Sequence, residues 1–177
     1  MSKTLPDKPV KVGDRIIDFF LTDPDGKTVS LEQLAQDRGV VIGFMHGTYC
    51  PHCIQQLNRA NRYADVLEEH KTPLVWVLRD SVSNISAYRL ASQPPPRFLM
   101  LPDSEPSIGR HFGIPQAGAG GEPLPSLLYL DASRTVRYLE APENPHAPPN
   151  MDALLAAIET TSTPPGGKND APDAKGG

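Results

Sequence analysis

Cys50 and Cys53 are the two cysteines of this chain, and they stand three positions apart in the segment Cys50-Pro51-His52-Cys53. A thiol reacts as its thiolate, and an ordinary cysteine with a pKa of about 8.5 is mostly protonated at neutral pH. A pair at this spacing can cycle between dithiol and disulfide, ligate a metal, or pack as two inert side chains. Zinc takes four ligands, and structural sites usually supply a second Cys/His pair. This sequence has no second Cys-x-x-Cys, which leaves His46 and His52 to serve. His52 lies between the two cysteines, where joint ligation is awkward. A Cys-x-x-Cys inside a strand-then-helix pattern reads instead as a redox dithiol.

The flanking elements place that dithiol. Val40 to Met45 is a continuous apolar run of strand length, as expected for a strand buried on both faces. The spacing of Leu57, Ala60, Ala64 and Leu67 predicts a helix from Ile54 to about His70. A strand running into Cys50 and then a helix puts Cys50 at the helix N-terminus. The unpaired N–H groups and the dipole there favour an anion. Pro51 suits the first turn because it lacks an N–H that would have no partner. His52 sets an imidazole, able to carry positive charge near neutral pH, beside the same end. Cys50 is therefore expected to be the attacking sulfur and Cys53 the more buried, resolving one. Thr48 and Tyr49, just ahead, are candidates for shaping a substrate groove.

The remaining pattern predicts an α/β domain. Strands are expected at Ile16–Leu21, Lys27–Val29, Leu74–Leu78 and Phe98–Leu101, with a late hairpin of Leu127–Leu130 and Thr135–Leu139. Asp23-Pro24-Asp25-Gly26 is a turn. Ser30 caps a short helix through Gln36, helices follow at Ser83–Ser92 and Ser107–Phe112, and Asn150 caps a final helix carrying Met151, Leu154, Leu155 and Ile158. Gln116–Glu122 reads as a flexible loop. The domain is expected over residues 10–161, after a flexible N-terminus of residues 1–9. Residues 162–177 form a tail too poor in apolar residues to offset its ordering entropy.

Composition narrows the function classes. The 177 residues carry 17 Lys and Arg against 21 Asp and Glu, a formal net charge of −4. That argues against a strongly basic nucleic-acid binder and against a polybasic membrane patch. No stretch approaches the ~20 apolar residues of a membrane helix, and the first twelve residues hold no apolar secretory core. The expected location is cytoplasmic. Two cysteines are also too few for a disulfide scaffold.

The run Phe44-Met45-His46-Gly47-Thr48-Tyr49-Cys50-Pro51-His52-Cys53 resembles the active-site segment of thioredoxin-fold redoxins, and in particular the peroxiredoxin-like branch of the AhpC/TSA family with its F-x-R-G-x-W-C-P-x-C pattern. Lys11-Val12-Gly13-Asp14, Asp25-Gly26-Lys27 and Ser30-Leu31 are similar to that family's opening hairpin. Leu124 to Asp131 is similar to its late segment, a proline followed by a strand ending in Asp. The resemblance spans about residues 10–160. It implies a thioredoxin-like fold: a mixed central β-sheet with flanking helices and an N-terminal β-hairpin. It also implies a cis Pro125 facing the dithiol, with the Leu124 backbone pairing an extended substrate.

The chain departs from the family at His46, in place of arginine, and at Tyr49, in place of tryptophan. In the peroxidase signature P-x-x-x-T-x-x-C, counted back from Cys50, Gly47 holds the Thr place and Gly43 the Pro place; counted back from Cys53, Cys50 holds the Thr place and His46 the Pro place. The arginine that polarises peroxide in those enzymes falls near position 125, which is proline. The expected activity is thiol–disulfide exchange, with an AhpC/TSA-type thiol peroxidase as one alternative and a metal-binding module using Cys50, Cys53 and one histidine as the other. The redox readings need no cofactor beyond the Cys50–Cys53 disulfide and no metal. Their partners are a disulfide-bearing or peroxide substrate and an external thiol electron donor.

Overall fold

The apolar run Val40–Met45 forms a six-residue strand, β3, buried at every position. The computed structural model of the chain describes residues 9–105, 107–117, 122–141, 144, 147 and 149–162. Ahead of β3 lie β1 (Phe20–Thr22), β2 (Thr28–Ser30) and α1 (Leu31–Leu34). After it come α2 (Pro51–Ala60), a 3-10 turn (Asn61–Tyr63), α3 (Ala64–Glu69), β4 (Leu74–Leu78), α4 (Val82–Ala91), β5 (Leu99–Pro102) and α5 (Ser107–His111). The chain continues through β6 (Gln116–Ala117), β7 (Glu122–Pro123), β8 (Ser126–Leu130), β9 (Val136–Glu140) and α6 (Met151–Ser162).

Five strands make the central sheet in the order β5-β4-β3-β8-β9. β3 pairs in parallel with β4, and β4 with β5, while β8 runs antiparallel to both β3 and β9. The sheet is thus mixed, with β3 at its centre. Strand side chains alternate between faces, and the core divides accordingly. Val40, Ile42 and Phe44 join Leu31, Ile108 and Phe112 on one side. Val41 and Met45 join Cys53, Leu57, Trp76, Leu154 and Ile158 on the other, under α2 and α6.

The expected α/β class, the mixed sheet and the antiparallel N-terminal hairpin are all present. β3 and β4 match their predicted bounds, because a strand buried on both faces is a continuous apolar run whose ends mark its limits. β1 starts later than expected. Ile16 and Phe19 are buried, but the Ile16 N–H donates to the Arg134 carbonyl at 2.9 Å instead of joining the hairpin. Ser30 caps α1 in a full capping box with Gln33, yet that helix stops at Leu34. The predicted 54–70 helix starts earlier, at Pro51, and is interrupted by the 3-10 turn. The predicted loop 116–122 has paired ends, Gln116 with Pro123 and Ala117 with Glu122. The expected flexible N-terminus lies outside the described residues except for residue 9, and the expected tail outside them except for residue 162. No described helix is long and apolar enough to cross a membrane.

Candidate active site

β3 ends at Met45, and five residues carry the chain to the start of α2. Cys50 is the N-cap of that helix, in extended backbone, with Pro51 in its first turn. Its Sγ accepts the Cys53 N–H at 3.4 Å, the role a serine or aspartate oxygen plays at an ordinary cap. Both cysteines are reduced; Cys50 is partly exposed and Cys53 is buried. Burial first, and then the neighbouring Cys50 sulfur, push the Cys53 thiol up to about 12, against a smaller opposing pull from the backbone N–H groups of Gly47 and His46. Cys53 therefore stays protonated at neutral pH while Cys50 faces outward. The two sulfurs are chemically unequal, in the sense the spacing predicts.

The loop between strand and helix is held by a residue that sequence reasoning missed. Asp80 is 5% exposed and follows β4. Its Oδ2 accepts the Thr48 N–H at 2.7 Å and the Thr48 hydroxyl at 2.6 Å. Its Oδ1 accepts the Ser81 N–H at 2.7 Å and the Asn84 amide at 2.8 Å. One carboxylate thus ties the dithiol loop to the start of α4. Thr48 is an anchor for the loop, its hydroxyl already used. Gly47 belongs to the same device: a Cβ there would come 2.6 Å from Tyr49 Cε1 and 2.8 Å from Asp80 Oδ2. The Tyr49 ring lies over Gly47, 57% exposed, beside Cys50. The position of Asp80 is the available signal, since sites in open α/β sheets form at the carboxyl ends of parallel strands.

Burial alone would raise the Asp80 carboxyl, but the hydrogen bonds from Thr48, Asn84 and Ser81 outweigh it and hold the group below its ordinary value of 3.8. A carboxyl depressed in the folded state contributes stability above its unfolded pKa and loses it as pH falls through the folded one. Asp80→Asn is therefore expected to destabilise the protein by about 2 kcal/mol at pH 7, a typical value for hydrogen bonds to a charged group. The gap from wild type should narrow as pH drops below about 4. Urea melts of both proteins at pH 7 and pH 3 test this, and an unchanged gap would remove Asp80 from that role.

The other predicted residues are placed as follows. His52 is exposed on the first turn of α2. Pro125 is buried and borders a cavity of 10 Å³ with Gln56, Trp76, Ser126 and Glu140, so it faces α2 one turn beyond Cys53. The expected cis bond is absent: among the described residues the cis peptide is Gln93–Pro94, and Leu124–Pro125 is trans. The Leu124 backbone is also engaged within the chain, its N–H donating to Pro115 O at 2.8 Å and its carbonyl accepting from the Ser126 hydroxyl at 3.0 Å. Pairing of that N–H with an extended substrate is not available in this conformation.

A mixed sheet with flanking helices and a Cys-x-x-Cys at the mouth of its central strand define a thioredoxin-like redoxin. The model of the AhpC/TSA family matches residues 12–139, and the chain belongs to that family of thiol-dependent redox enzymes. No curated protein matches it. Among solved structures it is similar to the peroxidoxin BcpB of Mycobacterium tuberculosis, at 22% identity and a TM-score of 0.73, over 85% of this chain and 97% of that one. It is also similar to a thiol peroxidase of Chromobacterium violaceum, at 19% identity and a TM-score of 0.74, over 88% and 90% of the two chains. The AhpC of Mycobacterium bovis gives 15% identity and a TM-score of 0.75, over 93% of this chain and 99% of that one. At these identities the likeness establishes the fold.

Proposed function

We propose that the chain is a thiol–disulfide oxidoreductase. The observation that carries this reading is the inequality of the two sulfurs: Cys50 partly exposed at the start of α2, Cys53 buried and held protonated beside it. The Cys50 thiolate attacks a substrate disulfide and releases one thiolate. The mixed disulfide is then attacked by Cys53, which gives up its proton, closes the Cys50–Cys53 disulfide and releases the second thiolate. An external thiol donor returns the pair to the dithiol. His52 is exposed on the same first turn, and Tyr49 offers an exposed ring to the substrate chain.

Family membership and the solved structures named peroxidoxin and thiol peroxidase favour a second reading. There the Cys50 thiolate takes one oxygen from a hydroperoxide, becoming a sulfenic acid and releasing the alcohol. Cys53 then condenses with it to the disulfide and water. Two features weigh against it. Near position 125, where the family resemblance puts a peroxide-polarising arginine, this chain has a buried proline. The P-x-x-x-T-x-x-C signature fits in neither register: ahead of Cys50 its Thr and Pro places hold Gly47 and Gly43, and ahead of Cys53 they hold Cys50 and His46.

Stopped-flow oxidation of the reduced protein separates the two. The expected result is rapid reaction with a small aromatic disulfide and with insulin, and reaction with hydrogen peroxide no faster than that of free cysteine. Peroxide oxidation orders of magnitude above free cysteine, with slow disulfide exchange, would give the site to the peroxidase.

A further inference from the structure

We propose that the reduced site is also a metal site, in which His46, Cys50 and Cys53 together bind one zinc ion and leave its fourth position to solvent. A ring nitrogen of His46 and the two sulfurs all lie within 4.8 Å of one another. Around one tetrahedral zinc, with Zn–S of about 2.3 Å and Zn–N of about 2.0 Å, such ligand pairs stand roughly 3.5–3.8 Å apart. Closing the cluster onto an ion needs side-chain movements of about an ångström. Soft thiolates with an imidazole suit zinc. Two cysteines and one histidine with an open fourth position is also the composition of one class of catalytic zinc site, whereas structural sites are closed by four protein ligands.

The three donors come from two elements that the fold already fixes. His46 leaves the end of β3, while Cys50 and Cys53 open α2. The loop between them is pinned through Thr48 to Asp80. The objection to a metal in the sequence was that His52 sits between the two cysteines. The structure puts His52 on the exposed side of the helix and supplies His46 instead. Cys50 is partly exposed, so the fourth position opens to solvent.

This inference rests on the dithiol reading and gives it a regulator. Zinc binding displaces the protons of both thiols. Disulfide formation takes two electrons from the same sulfurs and passes them to the substrate, so ion and disulfide exclude each other. The zinc-loaded form is then blocked toward exchange and alkylation; only the dithiol left when the ion dissociates passes its two electrons to the substrate disulfide, and the resulting Cys50–Cys53 disulfide no longer binds the ion.

The test titrates the full chain with Zn(II) against a chromophoric chelator, and with Co(II) to read thiolate-to-metal absorption. The reduced protein is expected to take one equivalent of zinc and the disulfide form none. His46→Ala should weaken binding by roughly 100-fold or more, since even supporting groups around a metal contribute 10–100-fold. His46→Cys should restore it with a stronger cobalt band, and His52→Ala should leave the affinity unchanged. A far-UV spectrum like that of wild type confirms that each variant is folded, and the comparison of reduced with oxidised wild type needs no variant. Equal binding by both redox forms, failure of the reduced form to take zinc, or an affinity indifferent to His46 would overturn the site. If zinc does not bind but Cys50→Ser still abolishes turnover, the metal site falls and the dithiol stands. If Cys50→Ser leaves turnover intact, the dithiol reading falls as well.

Discussion

Cys53→Ser is expected to accumulate as a mixed disulfide with its substrate, while Cys50→Ser should lose turnover by several orders of magnitude and accumulate nothing. Removing a covalent nucleophile eliminates the step on which the rest depends. Removing the resolving group stops the cycle one bond later and leaves that bond in place. The proposed roles rest on position. Cys50 caps α2 at the surface, while Cys53 faces inward among Leu57, Ala60 and Met45. A substrate too large to enter the core reaches the first sulfur and not the second. Intact-mass spectrometry after a single addition of a disulfide substrate reads the outcome directly. The opposite pattern, a trapped adduct on Cys50→Ser and none on Cys53→Ser, would exchange the roles. It would also match the register in which Cys53 fills the peroxide-attacking place of P-x-x-x-T-x-x-C. The measurement therefore decides between two alignments of the same ten residues.

The parts of the molecule that were legible in the sequence are those governed by local pattern. β3 and β4 have their predicted bounds because each is an apolar run with no solvent face. The dithiol is where the pattern puts it, since a buried strand followed by a capped helix leaves one place for Cys50. Features set by distant partners were not legible. The predicted 54–70 helix breaks at Asn61, whose side chain donates to the Pro95 carbonyl at 3.0 Å and accepts the Arg97 N–H at 2.8 Å. Those partners are 34 and 36 residues away, and the helical period carries no trace of them. Asp80 is the same case within the site. Its role appears only once Thr48, 32 residues earlier, is folded against it. The bond before Pro125 failed for another reason: its isomer was inferred from resemblance, and in this chain the Leu124 N–H is claimed by Pro115.

Gly43→Ala is expected to destabilise the protein by about 3 kcal/mol or more, at the upper end of overpacking costs. For a domain of this size that lowers the melting temperature by roughly 10 °C. Gly43 lies in the central strand, paired with Trp76 of β4 on one side and Leu127 of β8 on the other. A Cβ at this position would stand 2.0 Å from Trp76 Cζ3 and 2.1 Å from Cε3, inside the ring's own volume. The indole has nowhere to retreat. It is 2% exposed and packed among Leu78, Met100 and Leu127. The strand would have to shift, and β3 is the strand that delivers the loop carrying His46 and Cys50. The clash predicts its own remedy. Trp76→Leu alone should cost about 3 kcal/mol for the space it empties. Combined with Gly43→Ala it should cost distinctly less than the sum, because the methyl then fills part of that space. A double-mutant cycle of denaturant melts measures the difference. Strict additivity would mean that the ring is not what the glycine makes room for. A large coupling would identify Gly43 and Trp76 as a matched pair, in which a residue without a side chain lets the chain's single tryptophan lie flat across the sheet beneath the dithiol helix.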